Sequence, residues 1–412
     1  MIWAIIMYIT IYFGLYTSIF LFLTFLENKN YIKNPVAKKI YSVSVIVPAY
    51  NEAMGIARTI ESLLKLDYPK NKLKIIVIDD GSKDNTYEIA KRYENKGVVI
   101  FTKKNSGKAN SLNFVLKKID TELIGCLDAD SYVDSDALKK MIGYFNNKDV
   151  MVVTPSIKIG NAKNILQQIQ RIEYLMGVYL RKVFSFLGSI HVTPGPFSIY
   201  RKDFLDKYGG WDESTLTEDI ELALRIQSKN FILENSIDAN VYTIGPKTFD
   251  GLFKQRMRWY VGFINNVIRY KSLFNIKYGN LGIFILPSSF IFVAFSILAL
   301  FYSVYKLSIN TFEWLVNFSA INFEFNPYLR TLTSSFNFYM QPFFILTLVM
   351  ILFGAIGVVI AKKYSKELGN VGFFYVIYLL FYWLLFAFWW FIASVYKLFS
   401  VKMKWGGFNG KA

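Results

Sequence analysis

The chain has 412 residues, 53% of them hydrophobic and 18% aromatic, and carries a formal charge of +17. Its apolar residues gather into a few long runs, which excludes an ordinary soluble enzyme. The basic residues are scattered through the polar region and flank those runs, a pattern that fits a membrane surface and argues against nucleic acid as partner. One cysteine, Cys126, excludes an internal disulfide and suits a reduced cytosolic site, and the single histidine, His191, excludes a zinc site built on several His or Cys ligands.

The first apolar run is Ile2–Leu26. No basic residue precedes it, it exceeds the h-region of a signal peptide, and no A-x-A site follows, so it reads as a membrane span. The basic stretch "ENKNYIKNPVAKK" comes after it and, by the positive-inside rule, puts the following polar region in the cytoplasm. That region is roughly 250 residues long, enough for one sizeable domain.

Within it, "VSVIVPAYNE" and "LKIIVIDDGS" are apolar runs ended by polar residues, and "GVVIF", "ELIGCLDAD" and "DVMVVTP" read as further strands. Helical patterns lie between them at Gly55–Leu66, Thr86–Arg92, Lys108–Lys118 and Ser135–Phe145. The alternation predicts an α/β domain with a mostly parallel sheet covered on both faces. Ligands of such sheets gather beyond the carboxyl ends of the strands. There stand Tyr50, Asn51 and Glu52, then Asp79 and Asp80, then Asp128 and Asp130. Like charges so close repel one another, which implies a cation or a basic ligand. The pair in "DAD" suits Mg²⁺ or Mn²⁺ shared with substrate phosphates, although a lone D-x-D is more often an Asx turn. Neither G-x-G-x-x-G nor a P-loop is present, so phosphate must be held by metal and side chains. Lys108 opens a helix, where a cation is disfavoured unless an anion lies close.

"TLTEDIELALRI" packs three acids into one short helix. Thr215 and Glu218 are spaced as a capping box, and Glu221 and Arg225 as an exposed i,i+4 pair. Asp219 falls at the edge of the apolar stripe Leu216, Ile220, Ala223 and Gln227, where a carboxylate does nothing for packing. It is either a first-turn acid favoured by the helix dipole or a chemical group. Further on, "QRMRW" sits in an amphipathic stretch suited to a membrane boundary. Three more uncharged runs follow, Leu281–Tyr305, Phe343–Ala361 and Val371–Tyr396. One span before the domain and three after it would put the basic "KLFSVKMKWGGFNGK" outside, unless part of Asn310–Tyr339 also enters the membrane.

In sequence order, "VPAYNE", "IDDGSKDNT", "NSGKANSLN", "LDADSYV", "TED" and "QRMRW" resemble the motifs of family-two glycosyltransferases, within them the membrane-embedded processive synthases of poly-N-acetylglucosamine, hyaluronan, chitin and cellulose. The likeness runs from Ser42 to Ile268 and is nearest to poly-β-1,6-N-acetylglucosamine synthases. It implies a GT-A-like nucleotide-sugar domain and transmembrane helices. Residues 1–27 would be the first span, 40–250 the cytosolic catalytic domain and 251–275 an interfacial helix. Residues 281–397 would hold three spans and 398–412 a basic tail. The resemblance further implies that Tyr50 and Asp80 hold the uracil of a UDP-sugar, with Glu52 and Lys108 close to the nucleotide. Asp128 would approach the ribose and sugar, Asp130 would bind the divalent Mg²⁺ or Mn²⁺, and Asp219 would be the general base. Gln255, Arg258 and Trp259 would form a Q-x-x-R-W motif, with Arg258 near the diphosphate and Trp259 under the acceptor sugar. "TPGPFSIYRK" departs from the family pattern at Pro194 and Pro196, and His191 takes no role from it.

The expected function is therefore an inverting, metal-dependent transfer from a UDP-sugar, with UDP-N-acetylglucosamine as the leading donor, onto a growing polysaccharide that is passed outward. The alternative is a single transfer to a polyprenyl phosphate or lipid. A transporter with a nucleotide sensor is disfavoured, because the spans lack the charged residues that mark ion pathways. Three late spans are few for a polymer conduit, so a homodimer or a small membrane partner is expected.

Overall fold

The computed structural model describes residues 2–320 and 342–401. Helix α1 (Ile2–Glu27) is followed by β1 (Val43–Ala49), α2 (Ile56–Leu64), β2 (Leu73–Asp79), α3 (Thr86–Lys91), β3 (Val99–Thr102), α4 (Lys108–Leu116) and β4 (Leu123–Cys126). Then come β5 (Tyr132–Val133), α5 (Ala137–Ile142), β6 (Val150–Ile159), α6 (Ile165–Phe186), β7 (Ser198–Arg201), α7 (Lys202–Tyr208), α8 (Glu218–Ser228), β8 (Ile232–Thr243) and α9 (Phe249–Arg269). The last described helices are α10 (Leu286–Ala320), α11 (Pro342–Tyr364) and α12 (Gly372–Leu398).

The eight strands among the described residues share one sheet in the order β3-β2-β1-β4-β7-β6-β8-β5. Four of the strands read from the sequence, β3-β2-β1-β4, form one half and are parallel throughout, while the fifth, β6, lies in the other half. The other half is mixed: β7 runs antiparallel to both β4 and β6, β5 antiparallel to β8, and β6 and β8 are parallel. Alternation along β1 sends Val43, Val45 and Val47 to one face, against Ile56, Ile60 and Leu63 of α2. Ile46 points to the other, with Leu112 and Val115 of α4 and Leu222, Ala223 and Ile226 of α8. Each such buried Val, Ile or Leu contributes roughly 1.5–3 kcal/mol relative to exposure. Placing a charge at Ile46, which is fully buried, would therefore break the domain.

Among the described residues four helices are long and apolar enough to cross a membrane, at the four predicted places. One of them runs on to Ala320, so Asn310–Ala320 continues a helix already begun, while the rest of the Asn310–Tyr339 region, 321–339, lies outside the described residues. Helix α6 joins the sheet domain to these spans. Its Ile172, Leu175 and Tyr179 pack with Leu21 and Phe25 of α1 and Val358 and Ala361 of α11. Helix α9 lies along α12, where Met257, Val261 and Ile264 meet Trp389, Trp390 and Ala393.

Candidate active site

A cavity of about 1200 Å³ opens at the carboxyl ends of β1, β2 and β4. Its far walls are α6, α8 and α9, and it continues to Phe292 and Val293 of α10 and Trp390 of α12.

The first wall is built from loops that hold one another. Asn51 adopts a left-handed backbone (φ 56°), which Asn tolerates, and its Oδ1 accepts the Lys83 N–H at 2.8 Å. Its own N–H donates to Ser82 Oγ at 2.9 Å, so the loops after β1 and β2 are tied together. Tyr50 and Glu52 are thereby presented to the cavity. Asp80 accepts the N–H groups of Gly107 (2.7 Å) and Ser106 (3.0 Å) and pairs with Lys103. Gly107 supplies this at φ +95°, a conformation that a side chain would strain. Asp79, grouped with Asp80 in the sequence reading, does not line the cavity. It accepts from Thr102 Oγ1 at 3.1 Å and from the Ser82 N–H, and so shapes the loop.

The second wall carries the charges. Lys108 Nζ lies 2.5 Å from Asp128 Oδ1 and 3.4 Å from Glu218 Oε1. The anions that justify a lysine at the start of α4 are thus the protein's own. Burial alone would lower the Lys108 pKa, but the two carboxylates outweigh it and hold the ammonium well above its ordinary value. Gly195 leaves room for this pair, since a Cβ there would stand 2.5 Å from Nζ and 3.0 Å from the Asp128 carboxylate. Asp130 accepts from Ser131 Oγ at 2.9 Å, and burial together with the Asp128 charge pushes its pKa up to about 6. Glu52 rises to about 7 by burial and the charges of Asp130 and Asp128.

Asp219 stands across the cavity in the first turn of α8. Burial, with the neighbouring Glu218 charge, raises its pKa to about 6 against the opposing pull of Lys108 and Arg258. Its main-chain carbonyl accepts both the N–H (3.2 Å) and Oγ1 (2.8 Å) of Thr193, fixing the turn. Asn266 of α9 donates to Thr217 O at 3.1 Å and Oγ1 at 3.0 Å, tying α8 to α9. On α9, Gln255, Arg258 and Trp259 at i, i+3 and i+4 share the face that lines the cavity.

The ten residues that the family resemblance assigns to the site line this one cavity, six on the strand side (Tyr50, Glu52, Asp80, Lys108, Asp128 and Asp130) and Asp219, Gln255, Arg258 and Trp259 opposite, whereas Asn51 and Asp79 do not. The local reading of α8 needs correction. The cap is Thr217, without a side-chain hydrogen bond, so Thr215 and Glu218 form no capping box. Glu218 is buried beside Lys108 and lines the cavity. The Glu221–Arg225 pair is not exposed: Glu221 is 1% exposed, accepts two guanidinium hydrogen bonds (3.1 and 2.5 Å), and takes a third from Tyr270 Oη at 2.5 Å. Sequence reasoning also missed α6, whose Glu173, Tyr174, Gly177 and Arg181 line the same cavity. Their i, i+1, i+4, i+8 spacing marks one helical face and was the available signal.

Among the described residues no three His, Cys, Asp or Glu side chains converge as a metal cage. A hard ion that shares its shell with water and a diphosphate needs only one or two carboxylates, however. Asp130 and Asp128 offer them, and the carboxylate charges that add to burial in raising Asp130 and Glu52 are ones a cation would relieve. The donor set therefore fits Mg²⁺ or Mn²⁺.

The profile of the glycosyl transferase family 2 matches residues 44–209, the stretch that holds every strand of the sheet but β8 and the first wall of the cavity. Over that stretch the chain is similar to glycosyl transferase family 2. Across a longer stretch it is similar to poly-β-1,6-N-acetyl-D-glucosamine synthases. The Staphylococcus epidermidis protein is 36% identical over 232 residues, 55% of each chain. That of Staphylococcus aureus strain COL is 34% identical over 229 residues, 54% of this chain and 55% of the relative. The match thus spans about half the length of these relatives. A mannosyltransferase from Pyrobaculum calidifontis, solved with GDP-Man and Mn²⁺, superposes over 96% of this chain and 100% of its own, with a TM-score of 0.58 and 18% identity. The fold is GT-A-like, and the likeness extends through the apolar helices.

Proposed function

We propose that the protein is a membrane-embedded, inverting β-glycosyltransferase that moves a sugar, N-acetylglucosamine first among candidates, from its UDP donor onto a growing polysaccharide. The observation that carries this is the continuity of one cavity from the strand-end acids, past Asp219 and Trp259, to Phe292, Val293 and Trp390 on candidate spans. Kinship with the staphylococcal poly-N-acetylglucosamine synthases supports the choice of sugar.

In this reading the nucleotide lies against Tyr50, Glu52 and Asp80, and the diphosphate near Lys108 and Arg258. The acceptor sugar stacks on Trp259, whose indole face suits the C–H face of a pyranose. The acceptor hydroxyl attacks the anomeric carbon opposite the leaving diphosphate. A new C–O bond forms, the bond to phosphate breaks, UDP departs with the electron pair, and Asp219 takes the hydroxyl proton. Its raised pKa makes that carboxylate a better base than an exposed one. Arg258 and Lys108 meet the charge that grows on the leaving group. Asp130, with Asp128, would hold Mg²⁺ or Mn²⁺, which when bound supplies further neutralisation of the diphosphate. Residues 40–250 would act in the cytoplasm, with 251–275 on the membrane surface, and a homodimer or small membrane partner would complete the polymer path.

A second reading, one transfer to a lipid-borne acceptor, is favoured by the apolar part of the same cavity, where Phe292, Val293 and Phe386 offer a seat for an acyl or prenyl tail. One experiment separates the two. Purified full-length protein is given UDP-sugars with Mg²⁺ or Mn²⁺, and both released UDP and product size are measured. Polymer from UDP-N-acetylglucosamine is expected. A single-sugar lipid product would select the second reading, and no UDP release from any donor would sink both.

A further inference from the structure

The second residue of "QRMRW" was unassigned in the sequence, yet it has the most unusual surroundings on α9. Arg256 is fully buried, one of the largest side chains in the protein without solvent contact. Its Nη2 lies 2.6 Å from Glu173 Oε2 on α6, its Nη1 donates to Gln255 Oε1 at 3.2 Å, and its guanidinium stands 4.2 Å from the Trp259 ring centroid. Its Nε has no partner among the described residues. For stability this is a poor choice, because burying an ion pair costs several kcal/mol per ion and apolar side chains often serve as well. The contacts point elsewhere. One planar group touches two of the three cavity-facing residues of the motif and is itself pinned to α6.

We infer that Arg256, anchored by Glu173, is a positioning residue that fixes the Trp259 indole and the Gln255 amide for the acceptor. This rests on the reading of Trp259 as the acceptor platform. A tryptophan held only by its own helix can swing about χ1 and χ2, and a cation on its face narrows that freedom. Lysine cannot replace it, since a point charge on a flexible stem can keep the Glu173 pair but cannot also lie flat on the indole and reach Gln255.

The test uses the full chain, UDP-N-acetylglucosamine as donor and a short N-acetylglucosamine oligosaccharide as acceptor. Arg256→Lys should raise the acceptor KM about tenfold, as expected for a desolvated cation–π contact, with donor KM and slow donor hydrolysis within about twofold of wild type. In a Trp259→Ala background the same change should add nothing, because its effect passes through the indole. Since Arg256→Ala would strand Glu173 and risk misfolding, Arg256→Met with Glu173→Gln serves as the second variant; it removes both charges and should reproduce the acceptor defect. A loss in Arg256→Lys that is equal for donor and acceptor, or additive with Trp259→Ala, overturns the inference. Normal acceptor use by Trp259→Ala alone would instead remove the platform on which it rests, a distinguishable failure.

Discussion

Asp219→Asn removes one proton acceptor and leaves the outline of the side chain unchanged. The carboxylate Oδ1 accepts the Ile220 N–H at 2.9 Å, and an amide oxygen can do the same, so the turn should survive. A positioned general base contributes about 10²- to 10⁴-fold, or roughly 3–5 kcal/mol of barrier, and kcat should fall by that factor with UDP affinity unchanged. The pH profile gives the sharper test. The Asp219 pKa is raised to about 6, so the basic form dominates above that value and is lost below it. The wild-type rate should therefore fall about tenfold per unit below pH 6. Glu218→Gln removes a like charge that pushes this pKa up, so the acid limb should move to lower pH, only in part because burial remains the larger cause. Assays of kcat at saturating donor and Mn²⁺ keep the titrations of Asp130 and Glu52 out of the profile. Near-wild-type turnover in Asp219→Asn, or an acid limb that survives in it unchanged, would return Asp219 to a dipole-favoured helix acid.

Four other outcomes follow from the same geometry. Glu221→Gln breaks a buried fork to Arg225, so it should cost on the order of 3 kcal/mol of stability rather than the few tenths of an exposed pair, while the folded fraction keeps its turnover; a melting temperature within a degree of wild type would refute this. Asp130→Ala should abolish metal-dependent activity without unfolding the domain, and full activity of the wild type in excess EDTA would sink the metal assignment. Because Asp130 must lose its proton to bind a cation, and its pKa is raised to about 6, the thermal shift given by Mn²⁺ with UDP should shrink as pH falls through that value. Trp259→Ala should bind donor normally yet make no polymer, and product of normal length on a sizing gel would remove the platform role. Tyr260 stacks on Trp390 at 4.4 Å and would keep the helix seated on the membrane side in that variant.

Much of this protein is legible along the chain. The four apolar runs, the β3-β2-β1-β4 half of the sheet and the acids at its strand ends all follow from local rules: span length, short apolar runs with both faces covered, and polar residues where strands stop. These rules need no knowledge of distant neighbours, so they bring Tyr50, Glu52, Asp80, Asp128 and Asp130 to the cavity, whereas Gln255, Arg258 and Trp259 are named only by the family resemblance. What they cannot supply is a partner from elsewhere in the chain. Strand β7 is the short stretch "SIYR", half polar and without the apolar run that marks β3 and β4, yet it enters the middle of the sheet and makes it mixed. The acids of α8 show the limit most clearly. By spacing alone Glu218 belongs to a cap and Glu221 to an exposed pair. Lys108, 110 positions earlier in the chain, and Tyr270, 49 positions later, reach them in the fold and bury both. Burial of a charge is decided by what packs on every side of it, and for α8 those sides come from α4, α9 and the loop before β7, so only the tertiary structure could assign its carboxylates.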